Sequence, residues 1–562
     1  MICALANSLW LAGCLAEAAR FRGAVKHVER EQQALLKRML SANAETEFGR
    51  LHHFSSISSV REFQQRVPLR DYDGYQKWVG RVSTGSPDIL TREPVRLLEP
   101  TSGSSGAAKL IPYTGSLQRE FQRGVRSWIA DLFLHFPDLL SGQAYWSVSP
   151  ATMPEARTSA GIPIGFEDDA AYVGGWQRRL VDAVLAVPGA LRKVSGMEAF
   201  QYLTLLFLIR ASKLKLISVW NPTFLSLLVD HLPEWGDELA HDLERGTVRH
   251  HKALPENLRW PIRPEKRRAA ELRAALRSSD PAERHARLWP DILLISCWTD
   301  ANAAAPAAHL RTLFPQVRIQ GKGLIATEGF VSFPMVGQAG AALAVRSHFL
   351  EFLPLTLSGE VDPVRPQLAH EIDRGQRYAV VLTTGGGLYR YLLQDVVEVT
   401  GHFHGCPLVR FVGRHGHVSD WFGEKLNGTH VSQILRNVFD SLAIVPSFAM
   451  LACDTSGPPS YVLYIDAFGP DEALARAAMR IDDGLRSNFH YRCARELGQL
   501  SLVRVFRAQG AAETYQSIAV ANGQRAGDVK PPALDRHDGW SGIFRGHFLS
   551  GNPPHLDCCE SL

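Results

Sequence analysis

Three short runs set the terms on which this chain can fold. AYWSVSP (144–150), LKLISVW (214–220) and ILLISCW (292–298) are apolar, rich in β-formers and bounded by turn residues. Long stretches of helical pattern separate them. Strands that are apolar on both faces and joined by helical crossovers belong to a buried, parallel sheet. Residues 1–45 read as helix, with QQALLKRML apolar at spacings of three and four. VRLLEP reads as a strand, and TGSLQREFQRGVRSWIADLFLHF as a helix soon after it. The charged segment from Pro233 to Trp289 reads as a peripheral helical insertion.

The pattern changes near residue 340. ALAVRSHFLEFLPL, YAVVLTT, YRYLLQDVVEVTGH and LVRFVGR alternate with glycine-rich turns, as in an antiparallel sheet or small barrel. It changes again after Arg414, where IVPSFAMLACD, YVLYIDAF, helical DEALARAAMRIDDGLRSNF and SLVRVFRA form a β-β-α-β unit. The 562 residues therefore divide into a large N-terminal domain over 1–413, a hinge at 414–424 and a small mobile C-terminal domain over 425–562. The fold class is α/β. The large domain is multilayered, with parallel-rich sheets and a β-barrel-like subdomain at about 340–413, and the small one is α+β. The tail past about residue 540 reads as poorly ordered.

Charge excludes some functions. The 61 basic residues nearly balance 57 acidic ones, leaving +4, which is no footprint for a nucleic acid. Eight scattered cysteines fit a reducing, cytoplasmic setting rather than a disulfide framework. The apolar N-terminus lacks a basic n-region and runs unbroken into helix, and MEAFQYLTLLFLIRA is too short and too charged for a membrane span. HFHGC (402–406) carries soft-metal ligand types, but no second Cys/His pair stands at zinc spacing, so a hairpin turn is the better reading. Cys558 and Cys559 precede ESL and form no prenylation box.

The chemistry begins at EPTSGSSGAAKLIPYT (99–114), a stretch that can pack almost nothing. Ser102, Ser104 and Ser105 offer hydroxyls, Gly103 and Gly106 let backbone approach a ligand, and Lys109 adds a cation. A triphosphate takes such an array. The spacing is not that of a Walker loop, and a plain surface loop is the competing reading. Strand, Gly/Ser loop and helix in that order would aim N–H groups at an anion. In GKGLIATEGF (321–330), Thr327 and Glu328 stand at a strand end. There a hydroxyl beside phosphate and a carboxylate on hydrated Mg²⁺ would suit each other, although a Glu opening a turn is the simpler reading of that piece alone. In GGGLYRYLLQDVVEVTG (385–401), Asp395 can accept two ribose hydroxyls. Tyr145, Trp146, Phe166, Tyr172, Trp176, Trp220 and Trp298 lie near strand ends and would line a pocket for an aromatic or hydrophobic group, though each alone reads as core.

As an ordered set, these pieces resemble the adenylate-forming enzymes and, within them, the bacterial branch of the Gretchen Hagen family of acyl-acid amido synthetases. The matching stretches are TEFGR (46), TSGSSGAAKLIP (101), ATEG (326), SHFLEF (347), LTTGGGLYRY (382), DVVEV (395), FVGRHGHVSD (411), GEKL (423) and GQRAGDVKPPAL (523). The resemblance implies an ATP- and Mg²⁺-dependent ligase joining a small carboxylic acid to an amine or amino acid. It gives Ser102, Gly103, Ser104, Ser105, Gly106 and Lys109 the phosphates, Thr327 the α-phosphate, Glu328 the metal and Asp395 the ribose. Arg414 would mark the hinge, with Lys425 or Lys530 as the mobile domain's phosphate-facing lysine. Two positions depart from the pattern: Leu324 stands where plant relatives carry tyrosine, and Gln394 where glycine is usual before the ribose aspartate. Transfer to a thiol such as coenzyme A, or a nucleotide-binding regulator without chemistry, are the alternative functions.

Overall fold

The structure, a computed structural model, describes residues 2–101, 109–147, 156–165, 180, 183–194, 196–250, 263–355, 361, 366–414, 418–521 and 532–549. They fall into two compact units, one within Met1–Thr101 and Lys109–His415, the other within Gly416–Leu562.

In the first unit the three apolar runs and a fourth strand, Arg318–Gln320, form the expected parallel sheet, in the order Gln143–Trp146, Leu214–Ser218, Leu294–Ser296 and Arg318–Gln320. The charged segment after Pro233 is not peripheral. Its helices, Leu232–Arg245 and Lys266–Leu276, bury Leu232, Trp235, Leu239, Leu243 and Leu272 in one core with Leu214, Ile217 and Ile295. The apolar residues recur at three and four, so the charges occupy the opposite face.

Leu97–Thr101 is a strand, but it does not lead through the serine loop into a helix. The chain returns as a second strand, Lys109–Tyr113, antiparallel to the first with Thr101 opposite Lys109. The helix Gly115–His135 begins only after that, and its first amides are already taken. Thr114 Oγ accepts from Leu117 N–H at 3.1 Å and the Glu93 carboxylate from Ser116 N–H at 2.7 Å. Residues 102–106 themselves lie outside the described residues.

The region after 330 is an antiparallel sheet in the order Ser332–Pro334, Ala341–Leu343, Cys406–Arg414, Tyr391–Phe403, Arg377–Thr383, Phe349–Pro354 and Gln367–Leu368. It is open rather than barrel-like: its outermost strands are short and do not pair with each other among the described residues. HFHGC is the tip of its longest hairpin, with Phe403 opposite Cys406.

The second unit carries a five-stranded sheet, Leu534–Asp535, Pro446–Asp454, Ser460–Ala467, Ser501–Gln509 and Arg545–Phe548, in that order. The helices Gly428–Leu442 and Asp471–Leu485 share a core with it through Val431, Leu435, Leu474, Ile481, Leu451 and Leu463. The tail is therefore structured further than its composition implied, because Arg545–Phe548 pairs with Ser501–Gln509. Among the described residues no helix is long and apolar enough to cross a membrane.

Candidate active site

Thr327 and Glu328 are the two tip residues of a minimal hairpin, Ile325–Ala326 paired with Gly329–Phe330. Tyr113, at the far end of the strand that Lys109 begins, donates its hydroxyl to Thr327 O at 3.1 Å. Tyr391 donates its hydroxyl to Glu328 Oε1 at 3.1 Å, and both residues are buried. Tyr72 completes the enclosure. Its hydroxyl accepts Leu110 N–H at 2.8 Å, and Lys109 Nζ stands 5.6 Å from its ring centroid. Burial, with added repulsion from the Asp73 and Glu328 charges, pushes the Tyr72 phenol above its usual range. The structure thus gathers Lys109, Thr327 and Glu328 around three tyrosines.

Asp395 lies four residues beyond Tyr391 on the same strand, buried, with Arg414 opposite it in the ladder. The register against Arg377–Thr383 slips between Ala379 and Val381, and Gln394 on the slipped segment takes φ 68°. That left-handed turn is one glycine would adopt freely. Gln394 enters it at a cost of about 1–2 kcal/mol, so the bulge that aims Asp395 survives the departure from glycine. Leu324, the other departure, is buried in the main core of the first unit.

The glycine turn before Asp395 serves packing. A Cβ on Gly385 would lie 2.5 Å from Glu120 Oε1 and 2.7 Å from Ser116 Cβ. Arg390 is likewise structural: its guanidinium pairs with the buried Glu351 at 3.0 Å and caps Gln64 O and Val67 O at 2.7 and 2.8 Å. Sequence reasoning did not single out Tyr391, Tyr113 or Tyr72, the three tyrosines around this hairpin, since a tyrosine beside apolar residues reads as core.

Of the pocket aromatics, Tyr145 is core, fully buried on the first strand of the parallel sheet. Trp146, Trp220 and Trp298 do stand at or just past the carboxyl ends of three parallel strands, with Trp220 and Trp298 rings 6.1 Å apart. Lys322, unremarked in the sequence, is buried among them. Its ammonium lies 5.0 Å from the Trp220 ring and 5.5 Å from Trp128, and donates to Ser218 Oγ at 2.6 Å. A cavity of about 300 Å³ opens nearby, lined by Thr299, Asp300, Gln320 and Gly323. Phe166, Tyr172 and Trp176 lie outside the described residues.

In the second unit Lys425 holds φ 43°, a left-handed backbone rare for lysine. Its neighbour Glu424 is fully buried and accepts Trp421 N–H, Phe422 N–H at 2.6 Å and the Tyr461 hydroxyl. Burial, and then the Asp420 charge, raise the Glu424 carboxyl to about 7. His490 nearby is driven down to about 3 by burial and the Lys425 charge. Lys530 lies outside the described residues, as does the side chain of Arg414.

The donor set near Glu328 suits a hard cation only in part. Among the described residues no cluster of three or more His, Cys, Asp or Glu forms a metal cage. A single buried carboxylate with one oxygen fixed by a tyrosine is what hydrated Mg²⁺ needs when phosphates supply its other ligands.

Comparison with known proteins follows the same line. A family description, "GH3 family N-terminal domain", matches residues 17–319, and "GH3 family central domain" matches 341–414. The chain is 24% identical over 580 residues to an indole-3-acetic acid-amido synthetase, GH3.8, of Oryza sativa subsp. indica, covering 94% of this chain and 92% of the relative. It is 22% identical over 541 residues to the corresponding GH3.3 enzyme of Arabidopsis thaliana, covering 90% and 89%. Among solved structures, a GH3.15 acyl acid amido synthetase superposes with a TM-score of 0.64 at 18% identity, covering 95% of this chain and 96% of that one.

Proposed function

The chain belongs to the GH3 family, and from that premise we propose that it is an ATP-dependent ligase that adenylates a small carboxylic acid and passes the acyl group to an amine, most simply an amino acid. A carboxylate is a poor electrophile until it gains a leaving group. Its oxygen attacks the α-phosphorus of ATP and expels pyrophosphate; the amine then attacks the acyl carbon and expels AMP. Positioning and electrostatics carry the first step.

In this reading Ser102, Gly103, Ser104, Ser105, Gly106 and Lys109 hold the phosphates, Thr327 hydrogen-bonds the α-phosphate and Asp395 holds the ribose. Bound Mg²⁺ would neutralise charge on the phosphate oxygens, and Glu328 is the residue that would hold it. Arg414 is the hinge between the two half-reactions, and Lys425 or Lys530 brings a cation to the α-phosphate. Trp146, Trp220 and Trp298 favour an aromatic or hydrophobic acid. We assign the enzyme to the cytoplasm, which its free cysteines support.

One observation carries the reading: a buried carboxylate at a hairpin tip, one oxygen fixed by Tyr391, beside the tyrosine that Lys109 covers. The test is to incubate the protein with ATP, Mg²⁺ and a carboxylic-acid library and to identify the acyl-AMP by mass spectrometry. AMP release is then followed with amino acids and with coenzyme A in turn. Acyl-AMP should form, Glu328→Ala should abolish it, and amino acids should stimulate AMP release. Release driven by the thiol alone would defeat the amide assignment, and a full-rate Glu328→Ala would remove that residue from the site.

A further inference from the structure

The hairpin that presents Glu328 does not define its own shape. Two-residue hairpins that match the strand twist need a positive φ at the first central residue or at both. Neither Thr327 nor Glu328 has one, and each flanking strand is only two residues long. Such a tip would splay on its own, so its aim must be set from outside.

Two of the ties are the tyrosine hydroxyls already described. A third reaches deeper into the first unit. Phe330 N–H, two residues after Glu328, donates to Nε2 of His348 at 2.8 Å. A backbone amide can only donate, so Nε2 is bare and the imidazole proton sits on Nδ1. Nδ1 in turn stands 2.9 Å from Glu120 Oε2 and donates to it. His348 is completely buried, and Glu120 nearly so. The same carboxylate accepts Gly385 N–H at 3.0 and 3.1 Å, at the turn that leads into Tyr391. One acidic group on the helix Gly115–His135 therefore grips both segments that meet at Glu328: the hairpin through His348, and the Tyr391 strand through Gly385.

We propose that Glu120 and His348 are positioning residues for Glu328, a carboxylate–imidazole relay that fixes where the Glu328 carboxylate meets the metal-bound nucleotide. This rests on the reading of Glu328 as the metal-facing residue. Groups that orient a metal ligand without touching the metal typically contribute 10–100-fold in affinity.

His348→Asn and His348→Gln divide the relay. Asparagine keeps a donor near the Nδ1 position for Glu120 but cannot reach Phe330. Glutamine sets an amide oxygen near the Nε2 position, where it can accept the Phe330 amide. The readout is Mn²⁺ binding in the presence of a non-hydrolysable ATP analogue, followed by electron paramagnetic resonance, with hydrogen exchange measured across 325–332. His348→Asn should weaken Mn²⁺ binding roughly 10–100-fold and speed exchange at the hairpin, whereas His348→Gln, which keeps the Phe330 tie and gives up only the one to Glu120, should lose measurably less than His348→Asn. Equal Mn²⁺ affinity in His348→Asn, alongside a loss in Glu328→Ala, would overturn the relay and leave the metal reading intact. Unchanged affinity in Glu328→Ala would remove the metal reading and the relay with it. Should His348→Asn fail to fold, the parent protein still decides the matter: rapid exchange of the Phe330 amide would sink the proposal.

Discussion

Removing one oxygen atom, in Tyr391→Phe, isolates the tie that holds Glu328. The Tyr391 backbone is fixed independently: it pairs with Leu382, and the next amide, Leu392 N–H, donates to Arg70 O at 2.8 Å. Its ring is buried against Tyr75, centroids 6.0 Å apart, so phenylalanine fills the same space. What disappears is a hydroxyl–carboxylate bond of 3.1 Å. A hydrogen bond to a charged group contributes about 1.5–3 kcal/mol, because the carboxylate is left to find another partner. At about 1.4 kcal/mol per decade this corresponds to a loss of roughly 10- to 150-fold.

Where the loss appears discriminates between roles. If Tyr391 acts by holding Glu328, the Mg²⁺ concentration giving half-maximal pyrophosphate exchange into ATP should rise by that factor, with the rate at saturating Mg²⁺ nearly kept. Global stability should move little, since the isosteric ring stays packed. A variant whose exchange rate and Mg²⁺ dependence both lie within about twofold of the parent would refute the argument.

Gly124→Ala tests the same hairpin from the helix side: its new Cβ would lie 2.3 Å from two ring atoms of Phe330. Overpacking costs about 1–3 kcal/mol, while alanine returns about 1 kcal/mol of helix propensity. Thermal unfolding should therefore show a small loss of stability, and pyrophosphate exchange a much larger loss of rate. In the second unit, Glu424 has its folded pKa raised from 4.5 to about 7 by burial and the Asp420 charge. A raised carboxyl stabilises the fold below its unfolded pKa, and that stability drains away as pH climbs from about 4.5 through 7. Urea unfolding should thus show a midpoint that falls across this window, and Glu424→Gln should flatten the slope. Substituting Arg414 should harm one half-reaction more than the other, read by comparing pyrophosphate exchange with amide formation.

Much of the architecture is local enough to be read from a string of residues. Periods of two and of three to four disclose the parallel strands, the antiparallel sheet and the β-β-α-β unit, because each depends on neighbours a few positions away. Errors arose where the outcome hangs on distant partners. The charged helices after Pro233 looked peripheral because their charges are numerous, yet a stripe of Leu and Trp buries them. The serine loop looked like a helix entry, yet Lys109–Tyr113 turns back onto Leu97–Thr101.

The site divides along the same line. Thr327, Glu328 and Asp395 could be nominated from the sequence because the chemistry proposed for them is carried by the residue type itself. Tyr391, His348 and Glu120 were not, since a tyrosine, a histidine or a glutamate acquires meaning only from what it touches, and Glu120 meets His348 across 228 positions of chain. Burial explains why the relay needs those residue types. An amide and a carboxylate in a dry interior each demand a partner of the opposite kind, and a neutral imidazole supplies both at once, accepting on Nε2 and donating from Nδ1. An apolar residue at 348 would leave Phe330 N–H and one face of Glu120 unmet, at about 1–3 kcal/mol each. The segments SHFLEF and GGGLYRY therefore matter to the candidate site less for any group they would present to a ligand than for the buried polar ties they form around the Glu328 hairpin.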